Sequence, residues 1–87
     1  MTPRERKALK ARAHSLDPVV IIGGRGLSDV VFAEIERALK AHELIKVRAA
    51  ALERGERERA LAAICQRTGA DPVQQIGKIL VLYRKRD

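Results

Sequence analysis

At 87 residues the chain has the length of one domain, and a domain of that size buries only about 60% of the surface its unfolded chain exposes, so its core must be modest. A formal charge of +7 and a pI near 10.3 point to a polyanionic partner, nucleic acid first among them. One cysteine rules out an internal disulfide, and there is neither an apolar run of membrane-span length nor the apolar core of a signal peptide. The expectation is a cytoplasmic protein with no membrane partner.

The excess charge sits at the two ends. Residues 1–14 carry Arg4, Arg6, Lys7, Lys10 and Arg12 against Glu5, and residues 78–87 carry Lys78, Arg84, Lys85 and Arg86 against Asp87, while the stretch between balances to zero. Basic ends can serve solubility alone, but clustering of this kind favours binding. Only Phe32 and Tyr83 are aromatic, which leaves Val, Ile, Leu and Ala to build the core.

Residues 3–14 read as a helix, with Pro3 in its first turn and Leu9, Ala13 and Leu16 recurring at helical spacing. Its other face is basic, Arg4 lying three before Lys7 and Arg6 four before Lys10. Asp17-Pro18 breaks the chain. Val19 to Ile22 follows as a β-branched strand that lacks polar alternation and is therefore expected to be covered on both faces. After the glycine loop, Ser28 can cap the amide of Val30 or Val31, and Leu27 and Phe32 fall at the positions of a hydrophobic staple. Val31, Ile35, Ala38 and Leu39 give the second helix its core face, and it ends near His42.

Residues 44–49 alternate, placing Ile45, Val47 and Ala49 on one face and Lys46 and Arg48 on the other. Strand, helix and strand in succession imply a right-handed crossover between parallel strands. Glu53 to Thr68 reads as a third helix that turns Leu61, Ile64 and Cys65 inward and ends at Gly69. Asp71-Pro72 is a second break, followed by short strands at 73–76 and 79–83 about a turn at Gly77-Lys78. Leu80 and Leu82 need cover opposite Ile79 and Val81, so the first helix should pack on the second side of the sheet through Leu9 and Ala13. One α/β domain spanning 1–87 accommodates all of this.

The stretch that organises the chain is Ile22-Gly23-Gly24-Arg25-Gly26-Leu27-Ser28. Three glycines in four residues permit positive φ, and the helix behind them presents unpaired N–H groups at its positive end. It is not a dinucleotide fingerprint, because Asp29 stands where a third glycine or alanine is needed, and it lacks the Gly-Lys-Ser/Thr of a Walker loop. With Arg25 between the glycines it is instead suited to lie along a sugar-phosphate backbone. Few exposed aromatics are expected, so backbone and shape should be recognised ahead of bases.

Nothing in the sequence assembles a catalytic or metal site. His14 falls at a turn, His42 at a helix end and Cys65 in an apolar stripe, and no nucleophile motif or zinc spacing surrounds them. The reading is a protein with no cofactor, no metal and no small-molecule substrate. A rival reading keeps the fold and makes the basic ends a surface for an acidic protein partner.

Ala13-His14-x-Leu16-x-Pro18-Val19-Val20, Ile22-Gly23-x-x-Gly26-Leu27, Glu34-Ile35, Ala38-Leu39, His42-Glu43-Leu44-Ile45-Lys46-Val47 and Ile76-Gly77-Lys78-x-Leu80-Val81-Leu82-Tyr83-Arg84 together resemble the CRM domain, the chloroplast RNA splicing and ribosome maturation module, in its free-standing YhbY-type form. The match runs from about residue 3 to residue 84 in order and spacing. The resemblance implies α-β-α-β-α-β-β around a four-stranded mixed sheet, akin to the C-terminal domain of bacterial translation initiation factor three. It also implies RNA binding and association with precursors of the large ribosomal subunit; the chain is expected to act there as a non-catalytic factor and as a monomer. The contact surface it implies is the loop of Gly23, Gly24, Arg25 and Gly26 with nearby basic residues, and the charge pattern extends the expected footprint to Arg4, Lys7, Lys10, Arg84 and Lys85. Family members often carry a basic residue directly after the first loop glycine; here Gly24 stands there and Arg25 follows.

Overall fold

Thr2 launches the chain. Its hydroxyl accepts the Glu5 amide at 3.1 Å while the Glu5 carboxylate accepts the Thr2 amide, a reciprocal cap that starts α1 (Pro3–Ala13). The computed structural model describes residues 1–86. After α1 come β1 (Val20–Ile21), α2 (Asp29–His42), β2 (Leu44–Arg48), α3 (Arg54–Thr68), β3 (Asp71–Ile76) and β4 (Ile79–Tyr83). The four strands form one mixed sheet in the order β1-β2-β4-β3, with β1 parallel to β2 and the other pairs antiparallel. This is the expected element order and fold class.

Side-chain parity splits the core into two unequal layers. Val20, Val47, Ile45, Leu80 and Leu82 point to the side covered by α2 and α3, where Ile35, Leu39 and Ile64 are fully buried against them. Val81, Leu44 and Val73 point to the opposite side, where α1 covers them with Leu9 and Ala13 as anticipated. Among the described residues the first layer contains fourteen buried side chains and the second only five. One short helix cannot cover a four-stranded sheet, and part of that second face stays open.

Two expectations about strands need correction. β1 is an edge strand whose burial alternates: Val20 and Ile22 are buried, whereas Val19 is 49% and Ile21 66% exposed. A run of β-branched residues without polar alternation is thus covered on one face only, because β1 is at the sheet edge and α1 packs chiefly over β2, β3 and β4. The second break also dissolves. Asp71-Pro72 lies inside β3, with Pro72 paired to Leu82 and a register shift before Gln74; an edge strand tolerates a residue that cannot donate. Leu16, expected on the apolar stripe of α1, falls beyond the helix and is exposed.

The helix ends follow their residues. Ser28 Oγ accepts the Val31 amide at 3.2 Å, and Leu27 and Phe32 both pack onto the larger layer. Gly69 closes α3 at φ 77°, its amide reaching the Cys65 carbonyl. α2 ends less comfortably, at Glu43 with φ 62° and ψ −54°, a strained conformation for a residue with a side chain.

Candidate functional site

Strand register decides which charges can meet. Ile21 pairs with Arg48, and Arg48 with Ile79, so the glycine loop, the segment after β2 and the β3–β4 turn share one end of the sheet. Two hydrogen bonds fasten them: the Ile22 amide to the Arg48 carbonyl at 2.8 Å and the Ala49 amide to the Lys78 carbonyl at 2.7 Å. Leu44 pairs with Tyr83 at the other end. Residues 84–86 therefore lie a strand length, about 13 Å, from the loop.

At the loop end the Gly26 amide bonds the Gly23 carbonyl at 3.0 Å and closes a tight turn. Of the three glycines expected to supply positive φ, only Gly26 does so, at 73°; a Cβ at Gly23 or Gly24 would meet nothing within 4 Å. The N–H groups of Gly24 and Arg25 find no acceptor among the described residues, and the Arg25 guanidinium is exposed without a partner. The helix end behind them is less available than the sequence suggests. Asp29, 94% exposed, already complements the α2 dipole and pairs with Arg67 at 3.3 Å, and the Arg67 guanidinium also lies 4.1 Å over the Phe32 ring. Free N–H donors for an anion are those of Gly24 and Arg25 in the turn and of Asp29 and Val30 at the start of α2, among the described residues.

Arg48 and Lys78 join Arg25 at this end, both exposed and, among the described residues, without a side-chain partner. Sequence reasoning left them out of the site. Arg48 was nevertheless signalled by its polar place in the alternation of β2, and Lys78 by its place in a two-residue turn. The start of α3 stands nearby, sharing with Gln75 and Gly77 a cleft of about 410 Å³ lined by Arg54, Arg57 and Glu58. It adds little charge, because Glu56 and Glu58 interleave its arginines and Arg57 is held by the Leu52 carbonyl at 2.7 Å.

Arg4, Lys7 and Lys10 are exposed on α1 and unpaired among the described residues. Arg12 lies toward His42 and Leu44, at the far end of the sheet from the loop. Lys10 is about 160° round the helix from it, on the opposite flank of α1.

The C-terminal cations behave differently. Arg84 forks onto Glu36 at 2.8 and 2.6 Å and donates to the Thr68 carbonyl at 2.9 Å, tying the end of β4 to α2 and α3. That bidentate bond holds the Glu36 carboxyl below its ordinary value against the opposing pull of desolvation. The Arg86 amide donates to Glu43 at 2.8 Å, which lowers the Glu43 pKa, and its guanidinium bonds the Ala41 carbonyl at 3.2 Å near the C-terminus of α2. Lys85 is exposed but stands at this same far end. The nine residues suggested by the sequence are therefore not one patch: the loop lies at one end of the sheet, Arg84 and Lys85 at the other.

His14 and His42 are exposed, and burial, with Asp71 adding to it, pushes the Cys65 thiol up to about 11, far from a thiolate at neutral pH. Among the described residues no three His, Cys, Asp or Glu side chains gather as metal ligands, and no helix is long and apolar enough to cross a membrane.

The model of the CRS1/YhbY (CRM) domain family matches residues 1–84. The chain belongs to that family. A Haemophilus influenzae relative named "RNA-binding protein" is 49% identical over 97% of this CRM chain and 85% of its own length. A Pseudomonas aeruginosa relative named "Probable RNA-binding protein" is 45% identical over 98% and 82%. The fold agrees as well: the solution structure of a hypothetical Staphylococcus aureus protein matches all of this CRM domain and 91% of that chain with a TM-score of 0.89 at 28% identity.

Proposed function

We propose that this CRM-domain protein binds RNA through the loop end of its sheet, as a non-catalytic factor that engages ribosomal RNA in precursors of the large subunit. The observation that carries the reading is the gathering of Arg25, Arg48 and Lys78, all unpaired among the described residues, around a turn with free N–H groups. The names of the 45% and 49% identical relatives support RNA as the partner, and the family resemblance supports the ribosomal precursor as its source. In this reading the turn amides and Arg25 take one phosphate while Arg48, Lys78 and Lys10 neutralise its neighbours. Four such contacts on a single strand give a salt slope near 3, or about a fifty-fold loss of affinity between 50 and 200 mM salt.

Sedimentation of the endogenous protein through a sucrose gradient tests both halves. Co-migration with large-subunit precursors at low salt, abolished by nuclease and by high salt, is the expected result. A protein that stays at the top of the gradient and binds no RNA oligomer in solution overturns the reading. A pull-down that survives nuclease would replace RNA with an acidic protein partner.

A further inference from the structure

Resting on the RNA-binding reading, we infer that the uncovered part of the sheet beside the glycine loop is a platform for unpaired bases, so that the partner is single-stranded RNA read partly through its bases. The register makes the platform. Ile21 pairs with Arg48, Arg48 with Ile79 and Ile79 with Ile76, so these four side chains form one row across all four strands. Ile79 packs beside the α1 layer, which fixes the row on the α1 side of the sheet. α1 covers the adjoining rows through Val81 and Leu44 and stops short of this one: Ile21 is 66% and Ile76 56% exposed. Across four strands the row spans about 14 Å.

Exposed isoleucines at two edges of a small sheet call for a reason, because burying them would stabilise the fold. Their surroundings select the occupant. The row has a cation within it, Arg48, and is bounded by Arg25 in the loop and Lys78 in the β3–β4 turn; no acidic residue lies in the row itself. An apolar protein surface would not be matched by that rim. A nucleic acid strand would, with its phosphates on the cations and its bases turned onto the apolar row. Duplex RNA is a poor fit because its bases are stacked inward and its deep groove is closed to side chains. The row has no aromatic, so it offers contact area to any base and little sequence discrimination. The sequence-based expectation of backbone recognition ahead of bases is thereby extended at this one surface.

The test uses the full chain and three probes of equal length: single-stranded RNA, the same strand annealed to its complement, and an abasic strand of the same charge. The double variant Ile21→Ser/Ile76→Ser changes two exposed side chains, and a thermal melt within a few degrees of the parent verifies its fold. The proposal expects the parent to prefer the single strand, and the variant to bind it about tenfold more weakly with an unchanged salt slope. That corresponds to about 1.4 kcal/mol, or roughly 55 Å² of apolar surface withdrawn from contact. Affinity for the abasic strand should not move. Equal loss on single-stranded and abasic probes, or no loss on either, overturns the platform while leaving the RNA-binding reading in place. A protein that binds none of the probes overturns both. A concentration-dependent dimer of the parent that the variant abolishes, with RNA affinity unaltered, assigns the row to a second copy of the chain.

Discussion

The two ends of the sheet carry similar positive charge and use it in opposite ways. At the tail end Arg84 and Arg86 are tied to Glu36, Glu43 and carbonyls of α2 and α3, so their charges hold the last strand to the helices. At the loop end Arg25, Arg48 and Lys78 have no side-chain partner among the described residues. A cation with a carboxylate and a carbonyl beside it is part of the fold, whereas one held out on a turn or an open sheet face is available to a polyanion. A net charge of +7 does not distinguish them, and hydrogen-bond partners do.

The strongest way to break this comparison is to remove the free end. The triple variant Arg25→Ala/Arg48→Ala/Lys78→Ala should lose RNA affinity on the order of a hundredfold at 0.1 M salt and lower the salt slope by about two. Its unfolding free energy should stay within about 0.5 kcal/mol of the parent, since none of the three holds another side chain. Fluorescence anisotropy across a salt series and urea unfolding measure the two quantities. A large stability loss would mean that these cations are structural after all.

The complementary change is Arg84→Ala. It leaves Glu36 without its guanidinium and the Thr68 carbonyl without its donor, at a site that is only partly exposed. The expected cost is about 1–2 kcal/mol, which lowers the melting temperature by several degrees in a domain of this size. RNA salt slope should hardly change. Lys85→Ala, one residue on and at the same end, should move neither stability nor slope, and a clear drop in slope would return the tail to the binding surface.

The glycine loop sharpens the comparison further. Gly26 sits at φ 73°, so Gly26→Ala should cost about 1 kcal/mol through backbone strain even though its Cβ has room. Gly24 has no such constraint, and a side chain there meets nothing within 4 Å. Gly24→Lys adds a cation to the loop, and should raise the salt slope by about 0.7 at little cost to stability. Weaker binding by Gly24→Lys would indicate that the backbone at Gly24 must approach the RNA too closely to admit a side chain.

How legible was this in the sequence? The element order was, because Pro18, Ser28 and Gly69 mark element boundaries and periodicity identifies the faces of α2, α3 and β2. Sheet coverage was not. Val19 and Ile21 look as buried as Val20 and Ile22, and only the position of β1 at the sheet edge, away from the strands that α1 chiefly covers, exposes them. Pro72 looks like a break until β3 proves to be the other edge. The glycine loop stands out in the sequence as a candidate site, whereas the cations expected beside it were chosen by closeness to the chain ends. Arg84 was included although its carboxylate partner lies 48 residues away, and Arg48 was passed over although register sets it beside the loop. Long-range pairing carries no local signal in one sequence.

The smallest expected effect concerns acid. Glu36 and Glu43 both have folded-state pKa values lowered by their arginines, Glu36 chiefly by the bond from Arg84 and Glu43 by the Arg86 amide. A lowered folded pKa means that the folded protein binds fewer protons than the unfolded chain just below 4.5, so stability rises with pH there. The contribution is fully present above about 4.5 and is lost as pH falls through the folded value. Glu36 is 37% exposed, so solvent screening keeps the worth of its charge under about 1 kcal/mol. Glu36→Gln should therefore be slightly less stable than the parent at pH 7, and urea unfolding at pH 7, 4.5 and 3 should show the gap closing toward the acid end. A gap of constant size would assign the loss to shape and hydrogen-bond geometry, and would remove charge from the account of how the tail end is held.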